Sequence, residues 1–232
     1  MRISGWTATL LYVLAALVMT WPLARGLTHD IPGDLGDSLL NCWIVSWVAD
    51  HLLRALGGDL AALGQFWHPN IFHPEPYALA YSEHLTAQAV QILPIYAATH
   101  NPILSYNLLF LSTFVLSGLG MFLLVRSLTQ DAVAGLVAGV IYAFGLPRVG
   151  QIPHLQVLSA QWMPFALLGL HRFFETRRLA PLVGASAALI AQNMYCGYYL
   201  MFFMPVMGGV PLFEIGTRRL RRDERMWKAL FL

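Results

Sequence analysis

Two carboxylates stand three residues apart in the run Gly33-Asp34-Leu35-Gly36-Asp37-Ser38, a glycine-flanked turn that follows the first long apolar stretch of the chain. A carboxylate in such a turn can take a proton from an acceptor hydroxyl as that oxygen attacks a donor, which is general-base chemistry. The same residues also have a structural reading, because an aspartate ahead of a helix caps the orphan amides of its first turn. Spacing alone favours the cap. Further along, Tyr81-Ser82-Glu83-His84 sets an acid beside an imidazole, and Glu83 and His84 are candidates for polar substrate contacts, with packing of their loop as the competing role. In Pro147-Arg148-Val149-Gly150-Gln151-Ile152-Pro153-His154, Arg148 and His154 could hold a phosphate, since a guanidinium presents a fork of donors matched to phosphate oxygens. A lipid headgroup or a helix end is the other partner such an arginine finds. His68, His73 and His84 fall at no recognised ligand spacing, so no metal site and no other cofactor is expected. Cys42 and Cys196, the two cysteines, lie far apart and give little support to a disulfide.

These residues must be positioned by elements built for a non-aqueous solvent. Hydrophobic residues make up 57% of the chain and charged residues only 11%, and the mean hydropathy is +0.59, far from the balance of a water-soluble domain. The expected fold class is all-α, a polytopic transmembrane helix bundle, because a spanning helix needs about 20 mostly apolar residues and several such runs are present. Six crossings are expected. The first runs from about Gly5 to Leu23, with Trp6 and Trp21 at the ends where aromatic rings sit at headgroup level. It is read as retained, since Thr20-Trp21-Pro22-Leu23 lacks the small residues of a signal-cleavage site. The second spans Ile103 to Val125, the third Ala132 to Leu146 and the fourth Leu155 to Leu170. The apolar run from Ala180 to Ile215 is too long for one span at about 1.5 Å per residue and is read as a hairpin turning near Asn193 to Tyr198. Met226 to Leu232 looks like the start of a seventh span, so the chain is expected to be one transmembrane domain over residues 1–232, the N-terminal part of a longer protein.

Basic residues in short loops stay on the cytoplasmic side. Arg172, Arg177 and Arg178 form one basic cluster, and Arg218, Arg219, Arg221, Arg222, Arg225 and Lys228 another. An even number of crossings must separate them, which the hairpin supplies. Counting back places residues 24–102 in an extracytoplasmic loop, and its seven acids against two bases agree. The net charge of +2 is explained by this orientation and by anionic membrane lipids, not by nucleic acid. Within the loop, Leu40, Trp43, Ile44, Trp47, Val48 and Leu52 recur at helical spacing over Ser38 to Leu56, with Asn41, Asp50, His51 and Arg54 on the other face. That amphipathic helix is expected to lie along the membrane surface. A second runs from Leu85 to Thr99, broken or kinked at Pro94.

Taken in order, GDLGDSLLNCWIVSWVADHL, FWHPNIFHPEPYALAYSEHL, NPILSYNLLFLSTFVLSGLGMFLLVRSLT and FGLPRVGQIPHLQVLSAQWMPF resemble the N-terminal half of bacterial GT-C-type membrane glycosyltransferases, over most of Thr20 to Tyr199. The resemblance implies transfer of a sugar from a polyprenyl-phosphate carrier to a lipid, glycan or protein acceptor at the outer face of the bacterial cytoplasmic membrane. It implies Asp37 or Asp34 as general base, the two loop helices as the family's juxtamembrane helices, and a cation such as Arg148 against the leaving phosphate. The alternatives are a noncatalytic scaffold or assembly partner, and a transporter subunit. The near absence of ionisable residues from the expected spans argues against transport.

Overall fold

The computed structural model describes residues 3–218 and 226–228, and among them every regular element is helical. The eleven α-helices are α1 (Gly5–Met19), α2 (Asp37–Leu56), α3 (Ala61–Gln65), α4 (Thr86–Thr99), α5 (Pro102–Thr129), α6 (Ala132–Phe144), α7 (Leu146–Val149), α8 (Leu155–Leu158), α9 (Trp162–Thr176), α10 (Leu179–Tyr195) and α11 (Tyr198–Thr217). Among the described residues three segments are long and apolar enough to cross a membrane: Pro102–Thr129, Ala132–Val149 and Tyr198–Thr217. Helix α1 is a shorter apolar helix. Of the six expected crossings, three therefore meet the length and composition of a span among the described residues.

Local chemistry sets several of the boundaries. The Ser4 hydroxyl accepts from the Thr7 amide at the start of α1. The Asn101 side chain accepts from Leu104 N–H at 2.9 Å, just ahead of Pro102 at the first position of α5, where a missing amide costs nothing. Asp131 does the same for α6 through Val133 N–H at 2.8 Å. The turn between α5 and α6 is thus only two residues long, and the two helices pack side by side.

That packing depends on absent side chains. A Cβ on Gly139 would lie 2.0 Å from the Tyr12 hydroxyl and 2.6 Å from the Gly118 carbonyl, and one on Gly135 would lie 2.8 Å from the Phe122 carbonyl. Small residues let helix backbones meet closely, which is how helices associate where lipid removes the hydrophobic drive. The Tyr12 hydroxyl then reaches across to the Leu136 carbonyl at 3.1 Å and ties α1 to the pair. Replacing Gly139 with Leu is expected to destabilise the fold by about 1–3 kcal/mol through overpacking, while Gly184→Ala, with open space around it, is expected to be neutral. Thermal unfolding of both variants in detergent measures the difference.

The main core gathers Cys42, Ile44, Val45, Val48 and Ala49 of α2, Ala89 and Ile92 of α4, Tyr106 to Phe114 of α5, and Leu155 and Leu158 of α8. The two loop helices occur as expected, and α4 is continuous through Pro94. The face of α2 is corrected. Asn41 and His51, assigned to its polar side, are buried: Asn41 Nδ2 donates to the Pro153 carbonyl at 3.0 Å, and the His51 ring pairs with Trp47 O at 2.9 Å and packs on the Trp47 ring. Helix α2 is docked into the bundle through polar as well as apolar contacts.

The fourth crossing is also corrected. The apolar stretch from Leu155 to Leu170 is not one helix: α8 ends at Leu158, residues 159–161 are non-helical, and α9 continues to Thr176. The hairpin is observed as α10 and α11, broken at Cys196-Gly197. At the far end of that hairpin, His171 Nε2 lies 3.4 Å from Glu175 and Nδ1 lies 3.8 Å from Glu214, which also pairs with Arg218, so ionisable groups link α9 to α11. The extension of α9 past Leu170 carries His171 into the bundle. Four of the arginines in the second basic cluster, Arg219, Arg221, Arg222 and Arg225, and most of the expected seventh span lie outside the described residues.

Candidate functional site

Asp34 and Asp37 turn out to do different things. Asp34 Oδ1 accepts from the Gly36 amide at 3.0 Å and closes a small turn on itself. Helix α2 begins at Asp37, its cap is Gly36, and no side chain caps it. The capping role that spacing favoured is therefore filled by neither aspartate. Asp37 instead places Oδ2 3.1 Å from His154 Nε2, with its side chain 54% exposed. A carboxylate in the first turn of a helix is favoured by the positive end of the helix dipole, while its exposure leaves a face open to an incoming hydroxyl.

The turn that carries Asp37 is pressed onto the segment that carries His154. Gly33 has φ +88°, a left-handed conformation suited to glycine, and a Cβ there would meet Ser38 Oγ at 2.6 Å and Ile152 Cγ2 at 3.3 Å. The Asn41 bond to the Pro153 carbonyl fastens the same two segments one turn further on. Two cavities flank the seam: one of about 590 Å³ is bordered by Thr20, His29, Asp30, Gly33 and Ile152, and one of about 630 Å³ by Tyr142, Arg148, Gln151, Leu158 and Tyr199. Adjacent residues Gln151 and Ile152 line one cavity each, so the strip of chain leading to His154 stands between them.

Arg148 lines the second cavity, which is otherwise largely apolar. Its Nη2 donates to the Leu158 carbonyl at 2.7 Å, and its guanidinium lies 5.3 Å from the centre of the Phe114 ring. Among the described residues it has no carboxylate partner. The Leu158 bond is one of a set that sequence reading missed. Tyr199 donates to Val157 O at 2.6 Å, Arg148 to Leu158 O, Gln192 Nε2 to Ser159 O at 2.8 Å, and Tyr142 to Ala160 O at 2.9 Å. Four consecutive carbonyls around the break in the bundle are each taken by a different part of the chain. Gln192 Oε1 also accepts from Trp162 N–H at 3.1 Å, the first amide of α9. Buried backbone that leaves a helix has to be paired in this way.

Glu83 and His84 are not brought to Asp37. Glu83 Oε1 accepts from Gly197 N–H at 3.1 Å, holding the α10–α11 turn. His84 Nδ1 accepts from Thr86 N–H at 3.2 Å at the start of α4, and its ring meets Trp67 edge-on. The cluster Gln192 to Tyr199 is likewise tied to α4: Gln88 Nε2 donates to Tyr195 O at 2.6 Å, and the Tyr195 hydroxyl donates to Gln91 Oε1 at 2.5 Å.

Among the described residues no group of three or more His, Cys, Asp or Glu side chains is arranged to hold a metal ion. Cys42 and Cys196 are buried and free, not bonded to each other. Burial pushes both thiols up to about 11, so the reactive thiolate is scarce at neutral pH and grows only toward that value. Alkylation of the folded protein by iodoacetamide is expected to be at least about ten-fold slower at pH 8 than after denaturation in SDS, read by mass spectrometry.

Among known families, residues 90–231 match the model described as bacterial membrane protein YfhO. No curated protein and no solved structure matches the chain.

Proposed function

Since the chain belongs to the family of bacterial membrane proteins YfhO, we propose that it serves as a membrane glycosyltransferase, moving a sugar from a polyprenyl-phosphate donor to a lipid, glycan or protein acceptor. The observation that carries the reading is the contact between Asp37 and His154, with His154 three residues along the chain from Gln151 in the wall of the cavity that Arg148 lines. Asp37 is the general base, ahead of Asp34, whose Oδ1 is already engaged by the Gly36 amide. The acceptor O–H gives its proton to Asp37 and its oxygen bonds to the anomeric carbon. The bond from that carbon to the carrier's phosphate oxygen breaks, and the phosphate leaves with the electron pair. Arg148 offsets the charge that develops there, in a cavity where little water competes for it. His154 orients the Asp37 carboxylate through Nε2 and contributes to the phosphate's surroundings. Glu83 and His84 act on the substrate only indirectly, by holding the α10–α11 turn and the start of α4.

In this reading α1, α5, α6 with α7, α9, α10 and α11 make six crossings of the bacterial cytoplasmic membrane, and residues 24–102 face outward. Long-range bonds support that alternation. They join loop residues Asn41, Glu83 and Gln88 to Pro153, Gly197 and Tyr195 at one end of the bundle, while His171, Glu214 and Arg218 meet at the other. The reaction as drawn uses no metal.

The test is transfer of labelled sugar in membranes that contain the chain, or a longer natural form of it, with Asp37 intact or replaced by Asn. Folded Asp37→Asn protein transferring at the unmodified rate would overturn the assignment. Arg148→Gln is expected to raise KM for the polyprenyl-phosphate donor and lower kcat, whereas a headgroup anchor would change neither.

A further inference from the structure

Of the four side chains that pair the carbonyls of residues 157–160, three also line the 630 Å³ cavity: Tyr142, Arg148 and Tyr199. The cavity and the non-helical segment are thus held by the same donors. We infer that Arg148 is a ligand-operated latch: the phosphate of an anionic lipid entering this cavity takes the guanidinium from the Leu158 carbonyl and releases the segment between α8 and α9. The inference rests on the reading of the cavity as the place of the carrier's phosphate, and adds what binding there does to the protein.

The state of the guanidinium supports the exchange. Arginine carries five N–H donors, yet the acceptors of Arg148 are two backbone carbonyls, Leu158 O at 2.7 Å and Thr113 O at 3.5 Å. Its Nε is buried without a hydrogen-bond partner. A half-buried cation lacking a counter-charge among the described residues is matched better by an anion than by a neutral carbonyl. A phosphate adds a full opposing charge and oxygens that can take the guanidinium fork two bonds at a time, where each carbonyl offers a single neutral acceptor, so the trade favours the phosphate.

The segment is prepared to move once one hold is lost. Gln161 is fully buried, and neither its Oε1 nor its Nε2 has a partner. Such groups favour any rearrangement that pairs them. The Tyr142 and Tyr199 hydroxyls border the same cavity and can follow Arg148 toward a phosphate, which would leave Gln192 as the remaining hold on the break.

Hydrogen exchange of the full chain in nanodiscs tests this, with undecaprenyl phosphate, undecaprenol and inorganic phosphate as probes and binding followed in parallel by native mass spectrometry. Undecaprenyl phosphate is expected to speed exchange in peptides covering residues 155–162 at least about three-fold, with residues of α5 unchanged, and undecaprenol is expected to have no effect. Arg148→Gln is expected to exchange fast with or without lipid, and Tyr142→Phe to raise basal exchange. Arg148-dependent binding without faster exchange would overturn the latch and leave the reading of the cavity standing. Absence of binding, or binding indifferent to Arg148→Gln, would overturn both. Acceleration by inorganic phosphate but not by the lipid would overturn the lipid as the trigger.

Discussion

Sugar transfer by Asp37→Asn protein is expected to fall about 10²–10⁴-fold, the usual contribution of a positioned general base, with little change in thermal stability. The prediction separates chemistry from architecture because the Asp37 carboxylate caps no amide of α2 and is half open to solvent. Asparagine keeps the shape and removes the basicity. Asp34→Asn serves as the matched comparison: an amide oxygen can still accept from Gly36 N–H, so both the turn and most of the activity are expected to survive. His154→Ala is expected to fall between the two, since Asp37 would keep its basicity and lose one orienting contact. Initial rates from a radiolabelled polyprenyl-phosphate sugar, with unfolding temperatures for the same preparations, check the series. Equal losses in both aspartate variants would place the chemistry elsewhere.

Gln192→Leu is expected to be the most destabilising single change near the site. The one side chain serves two buried backbone groups in opposite senses, giving a proton to Ser159 O and accepting one from Trp162 N–H. Leucine has similar bulk and leaves both groups unpaired. Each unsatisfied buried group costs about 1–3 kcal/mol, so a loss of about 2 kcal/mol or more is expected. Tyr142→Phe strands only the Ala160 carbonyl and is expected to cost about half as much. Unfolding in a denaturing detergent titration measures both.

Much of the framework could be read in the chain because it is local. Asn101-Pro102 and Asp131 announce helix starts through atoms two or three residues away. The loop helices show in the spacing of Leu40, Ile44 and Val48, and the hairpin in a run too long for one span. What failed was decided at a distance. Residues 155–170 carry no polar interruption strong enough to mark the break, because the groups that permit it lie on other parts of the chain at Tyr142, Arg148, Gln192 and Tyr199. Hydropathy counts side chains and does not see carbonyls waiting for them. Asn41 and His51 were misplaced on α2 for the same reason, since each is buried with a specific backbone oxygen as its partner. In the candidate site the residue types were legible and the pairing was not. Asp37 and His154 stood out separately as an acid and an imidazole in glycine- and proline-rich turns, whereas their contact depends on Gly33 and Asn41 docking one turn on the other. The charge of Arg148 points to a phosphate, and the bond it makes to the Leu158 carbonyl is a second task that its charge does not reveal.

The interrupted stretch between α8 and α9 also imposes an order on assembly. Its four carbonyls draw on two donors that precede it in the chain, Tyr142 and Arg148, and on two that follow it by tens of residues, Gln192 and Tyr199. A growing polypeptide that has just released residues 157–160 can pair only half of these carbonyls with side chains already made. The insertion machinery, or a transient water, must shelter the rest until α10 and the first turn of α11 have been synthesised. Helices usually treated as independent insertion units are here obliged to wait for one another.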